Sequence, residues 1–134
     1  MTDRGKLDGV RILVVDDDPD ILEIMSLALL SEDAVVRTAE TGDDAILALS
    51  AELPQLIVLD MMLPKRSGFL VLEHVQEIPD APPVIMVTAN EGRRHKAYAE
   101  SLGVSAYLNK PVPMEVLVDT ALAALDSPRQ SPDG

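Results

Sequence analysis

The chain has 134 residues, a length that fits one domain built around a single apolar core. Its 23 acidic against 11 basic residues give a net charge of −12, which opposes direct binding to nucleic acid or to an anionic membrane. With no cysteine, disulfides, thiolate nucleophiles, zinc–thiolate centres and iron–sulfur clusters are excluded, and no apolar run approaches the roughly 20 residues of a membrane span.

Residues 1–9 are polar, contain no signal-like apolar region, and read as a flexible N-terminus. The aliphatic run 12–15 predicts a first strand. Asp18-Pro19 then reads as N-cap and first position of a helix, with Ile21, Ile24, Met25, Ala28 and Leu29 on one face. A second strand falls at 35–38. Thr41 caps a second helix bearing Ala45, Ile46 and Leu49, which Pro54 ends. The run 56–59 predicts a third strand, and a third helix starts near Gly68, carries Leu70, Leu72 and Val75, and stops before Pro79. A fourth strand at 84–87 leads to a fourth helix over 91–102, with Gly103 set for a left-handed C-terminal cap. The run 106–108 gives the fifth strand, and the fifth helix opens at Pro113 with Val116, Leu117, Ala121 and Leu125. Residues 126–134 are polar and aperiodic, a flexible tail or the stub of a linker.

Five strands each followed by a helix predict an α/β domain over residues 10–125, a doubly wound parallel sheet covered on both faces. The first, third and fourth runs are continuously apolar, as central strands are. The second and fifth are shorter and more polar, as edges are. In such sheets ligands bind beyond the carboxyl ends of the strands. The residues there are Asp16, Asp17 and Asp18 after the first strand, Asp60 after the third, Thr88 after the fourth and Lys110 after the fifth.

Two carboxylates about 4 Å apart repel by about 4 kcal/mol at an effective dielectric of about 20. Acidic side chains on adjacent strand ends therefore need a proton or a cation between them. Oxygen donors with no His or Cys nearby favour Mg²⁺, which prefers sites completed by phosphate oxygens. Lys110 can neutralise a phosphoryl group, Thr88 can hydrogen-bond one of its oxygens, and a carboxylate can itself be the nucleophile. The seven glycines form no phosphate-binding loop, so a nucleotide is not what the chain holds.

The stretches ILVVDDDPDI (12–21), LIVLDMMLPKRSG (56–68), VIMVTA (84–89) and AYLNKP (106–111) resemble the receiver domain of two-component response regulators, chemotaxis receivers included. The likeness covers about residues 10–125. It implies a flavodoxin-like (βα)₅ fold with strand order 2-1-3-4-5, an order for which the chemotaxis receiver is itself the standard example.

The resemblance further implies that Asp60 accepts a phosphoryl group from a sensor histidine kinase or phosphotransfer protein. Asp17, Asp60 and the backbone carbonyl of Met62 would hold Mg²⁺, with Asp16 acting largely through water and Mn²⁺ able to substitute. Lys110 would pair with Asp60 and then with the phosphoryl group. Thr88 would capture a phosphoryl oxygen, with Tyr107 swinging in behind it, and the Lys110–Pro111 bond would be cis. Met62 and Asn90 would tune a slow self-hydrolysis. The fourth helix, fifth strand and fifth helix would form the face for a downstream protein, including Arg93, Arg94, Lys96 and Tyr107. The protein would be cytoplasmic, a monomer or a phosphorylation-dependent dimer, and no enzyme beyond its own phosphorylation and dephosphorylation.

Several readings stay open on the residues alone. Asp18 reads as a helix cap only. The basic run 93–96 is either a solvated helix face or a docking surface, and Tyr107 is either a switch or an ordinary strand residue. Val112-Pro113 stands where the family usually has an aromatic after Lys-Pro. Alternatives for the whole chain are a receiver-like adaptor working without phosphorylation, an aspartyl-nucleophile Mg²⁺-dependent phosphatase, and a flavin-binding carrier. The phosphatase would need a second Asp in the Asp60-Met61-Met62 stretch, and the flavin carrier a phosphate loop.

Overall fold

Alternation inside the apolar runs decides how the layers form. The computed structural model describes residues 4–63, 67–89 and 93–126. Its strands are β1 (Arg11–Val15), β2 (Val35–Ala39), β3 (Leu56–Asp60), β4 (Val84–Thr88) and β5 (Ala106–Asn109). The helices are α1 (Pro19–Leu30), α2 (Gly42–Ala51), α3 (Gly68–Gln76), α4 (Arg93–Ser101) and α5 (Met114–Asp126). All pairings are parallel, in the order β2-β1-β3-β4-β5, so the two polar runs are the edges.

Successive side chains of a strand face opposite ways. Leu13, Val15, Ile57, Leu59, Val84 and Met86 accordingly pack with buried residues of α2, α3 and α4. Ile12, Val14, Leu56, Val58, Ile85 and Val87 pack on the other side with α1 and α5. Each central strand is thus apolar at every position because each face meets a helix layer.

Three helices bury a stripe that only partly matches the one their spacing suggests: Met25 and Leu29, Leu72 and Val75, and Leu117 and Ala121 are buried as expected, and other positions are not. In α1 the buried residues are Leu22, Met25 and Leu29, while Ile24 is 53% exposed and Ile21 only half-buried. That helix is apolar on nearly every side, so periodicity does not select which stripe turns inward. In α3 Val71, Leu72 and Val75 are buried and Leu70 is exposed; in α5 Leu117, Val118 and Ala121 are buried and Val116 is exposed.

The N-terminal segment is a correction to the sequence reading. Residues 4–9 are not loose: Leu7 is 0% exposed and belongs to the α1/α5 core. The segment straps the turn between α1 and β2. Gly5 N donates to Asp33 Oδ2 at 2.6 Å, Leu7 N to Glu32 O at 3.0 Å and Gly9 N to Asp33 O at 3.0 Å. Gly5 is required by the close approach, since a Cβ there would lie 2.2 Å from the Glu32 carbonyl carbon. At the other end, α5 runs through Asp126; the proposed tail beyond it lies outside the described residues. No described helix is long and apolar enough to cross a membrane.

Candidate functional site

The register brings the acidic strand ends together. Val15 pairs with Leu59 and Asp60 pairs with Val87, so Asp16 and Asp60 occupy adjacent rim positions. Asp18 leaves this group. Its Oδ1 accepts from Asp20 N at 2.9 Å and Ile21 N at 3.3 Å, the N-cap role its position before Pro19 predicts. Asp16, Asp17 and Asp60 remain, each with a carboxylate oxygen within 4.8 Å of the others.

Their environments differ. Asp16 is fully buried; its Oδ1 accepts from Asp18 N at 2.9 Å and its Oδ2 faces Lys110 Nζ at 2.7 Å. Asp60 is 4% exposed, with Oδ1 accepting from Met62 N at 3.2 Å and Oδ2 lying 3.4 Å from Lys110 Nζ. Asp17 is exposed at the mouth. Lys110 therefore pairs with Asp60, as the resemblance implies, but sits closer to Asp16.

Burial raises the Asp60 pKa, and the neighbouring Asp16 charge adds to it. The Met62 N–H and Lys110 pull the other way without cancelling the rise. For Lys110, burial works against the ammonium, yet the hydrogen bond to Asp16 and the charges of Asp60 and Asp16 outweigh it and raise its pKa. The site thus holds a strong cation against a carboxylate that is costly to ionise.

The backbone tightens the same corner. The Lys110–Pro111 bond is cis, and Lys110 N donates to Thr88 O at 2.8 Å. Gly68 N donates to Met61 O at 2.9 Å, and a Cβ on Gly68 would stand 2.3 Å from the Asp60 carbonyl oxygen. The glycine eight residues after Asp60 is thus the point where α3 touches the acidic loop.

Thr88 is fully buried at the end of β4. Tyr107 is half-buried on β5 with its hydroxyl 3.9 Å from Met61 Sδ, and burial raises its pKa. Met62, two residues after Asp60, is 61% exposed. Val112 is half-buried against the α1/α5 core, so an aliphatic side chain fills the position after Lys-Pro. On α4, Arg94 and Lys96 are exposed; Arg93 opens the helix but its side chain lies outside what is described, as does Asn90. His95 is exposed and His74 is half-buried on α3.

The geometry suits a cation and a phosphoryl group. The donors at the mouth are all oxygen, an ammonium stands behind them, and one carboxylate is available as a nucleophile.

Comparison with known proteins points the same way. A family model described as "Response regulator receiver domain" matches residues 12–122. An uncharacterized 14.6 kDa protein of Leptolyngbya boryana is 38% identical over 109 residues, 79% of this chain and 83% of that protein. The probable transcriptional regulatory protein TcrX of Mycobacterium tuberculosis is 36% identical over 109 residues, 81% of this chain but only 47% of its own length. The chain likewise spans 28% to 49% of further regulators that it matches. The CheY-like receiver domain protein of Methanospirillum hungatei superposes with a TM-score of 0.85 at 29% identity, covering 89% of this chain and 95% of that one.

Proposed function

We propose, for a chain that belongs to the response regulator receiver domain family, that Asp60 takes a phosphoryl group from a phosphohistidine of a sensor kinase or phosphotransfer protein. The observation that carries this reading is the convergence of Asp16, Asp17 and Asp60 with Lys110 at one rim of the sheet.

A carboxylate oxygen of Asp60 attacks phosphorus in line. The new O–P bond forms as the donor's P–N bond breaks, and the electron pair returns to the imidazole. Lys110 offsets charge on the phosphoryl oxygens, and the Thr88 hydroxyl holds one of them. Mg²⁺, with Mn²⁺ as a substitute, suits this all-oxygen donor set and would supply further positive charge, held by Asp17, Asp60 and the Met62 carbonyl, with Asp16 acting through water. The new group takes Asp60 from about −1 to about −2 in charge. That change biases Thr88, Tyr107 and the face formed by α4, β5 and α5, where Arg93, Arg94 and Lys96 meet a downstream protein.

The test is incubation with acetyl phosphate and Mg²⁺ followed by intact-mass measurement. One base-labile phosphoryl group is expected, absent from Asp60→Asn and blocked by a chelator. A mass gain that survives Asp60→Asn would defeat the assignment, and sustained turnover of a small phosphoester would turn it toward a phosphatase.

A further inference from the structure

The core holds α4 only weakly. Among residues 94–101, Ala99 is the single buried side chain. A second anchorage comes from α3. The Phe69 ring stacks on His95 at a centroid distance of 5.9 Å and an interplanar angle of 30°, and meets Tyr98 edge-on at 5.0 Å and 70°. The Tyr98 hydroxyl donates to Glu73 Oε1 at 2.6 Å. Phe69 and Glu73 are four residues apart on α3, and His95 and Tyr98 three apart on α4, so each pair lies on one helix face. The hydrogen bond to the Glu73 carboxylate holds the Tyr98 pKa above its usual value, which keeps the phenol a donor.

The same face of α3 begins at the acceptor. Phe69 follows Gly68, whose N–H is bonded to Met61 O and whose Cα has no room for a side chain against the Asp60 carbonyl. The helix that seats the α4 aromatics therefore starts in backbone contact with the loop bearing Asp60. This contact runs along α3 and meets Tyr107 at Met61, whose Sδ lies 3.9 Å from the Tyr107 hydroxyl.

We propose that Phe69 and Glu73 form a latch that holds α4, through His95 and Tyr98, in its resting position, and that a phosphoryl group on Asp60 works against this latch. The proposal rests on the phospho-acceptance reading. A contact present in the resting arrangement and lost in the modified one lowers the affinity of the acceptor site, and its removal raises that affinity by the same factor. Phe69, Glu73 and Tyr98 act as positioning residues, none of them touching the reacting atoms.

The experiment uses the full chain with Tyr98→Phe, which keeps the ring, with Glu73→Ala, and with both together. Affinity for beryllofluoride, which adds to a carboxylate oxygen as a phosphoryl group does, is measured by calorimetry in Mg²⁺. Amide exchange on α4 is read alongside. Each single variant should bind about threefold to tenfold more tightly, the range expected for one hydrogen bond, with faster exchange on α4. The double variant should match the singles, because both remove the same bond. Unchanged or weaker beryllofluoride binding, or additive effects, would overturn the latch even if α4 exchange changed, since that pattern marks a purely structural contact. A parent chain that takes up no beryllofluoride would instead overturn the acceptor reading, and with it the coupling.

Discussion

Lys110→Met removes the site's ammonium while keeping an unbranched stem of similar bulk. The ammonium stands 2.7 Å from Asp16 and 3.4 Å from Asp60, with its side chain 16% exposed. At an effective dielectric of about 20, these separations correspond to gross attractions of about 6 and about 5 kcal/mol. Desolvation offsets most of that, and breaking a buried pair by deleting one partner costs about 3–5 kcal/mol net. The lower end applies here, because Asp60 can take up a proton once the ammonium no longer opposes it.

A loss of about 3 kcal/mol is a large share of the roughly 5–15 kcal/mol that holds a domain together. With a urea slope of about 2 kcal/mol per molar, the midpoint should fall by about 1.5 M at pH 7 in chelator. The deficit should shrink as the pH is lowered. A carboxyl whose folded pKa is raised stabilises the fold while protonated and loses that contribution as pH rises through the folded value, and the variant extends this rise. Saturating Mg²⁺ should also recover stability, by about 2.7 kcal/mol at a hundred times the dissociation constant. A variant whose urea midpoint in chelator matches the parent's would refute the view that Lys110 relieves the crowded acids.

Leu7→Ala should cost about 3 kcal/mol, because the side chain is fully buried, and should lower the melting temperature by about 10 °C; calorimetry showing no shift would restore a loose N-terminus. Asp60→Asn should melt above the parent in chelator at pH 7, since it removes a carboxylate whose ionisation is opposed by burial and by Asp16. That advantage should vanish on acidification, as the parent's Asp60 protonates, and a thermal scan across pH follows it. Gly68→Ala puts a methyl group 2.3 Å from the Asp60 carbonyl, so it should both lower the melting temperature and slow acetyl phosphate labelling measured by mass.

Much of the architecture was legible because burial on two faces leaves an unmistakable trace. Leu56, Ile57, Val58 and Leu59 read as a central strand since neither face tolerates a polar residue. The caps at Asp18 and Thr41 were legible for a local reason, a short side-chain acceptor directly before a helix. Leu7 was not, because one apolar residue among polar neighbours has no periodicity and only the α1–β2 turn gives it a place to bury. The stripe of α1 was ambiguous through excess: Ile21, Leu22, Ile24, Met25 and Leu27 offer more apolar surface than one face needs. Phe69 and Tyr98, separated by 29 positions, meet through the packing of two helices, and spacing along a chain carries no record of such a contact.

The site's own arrangement explains why a single added group could move so much. In the unmodified chain one ammonium serves two buried carboxylates and lies nearer to Asp16. A phosphoryl group on Asp60 would add about one negative charge beside the same ammonium, so the farther partner would become the stronger attractor. The ammonium ends a flexible stem and can turn toward that charge, while the Lys110 backbone N–H is bonded to Thr88 O at 2.8 Å. That bond ties the end of β4 to the residue after β5, and Tyr107 stands on β5 three residues before Lys110. On the proposed reading, the charges at the rim would thus link a change in valence at Asp60 to the strand that carries Tyr107.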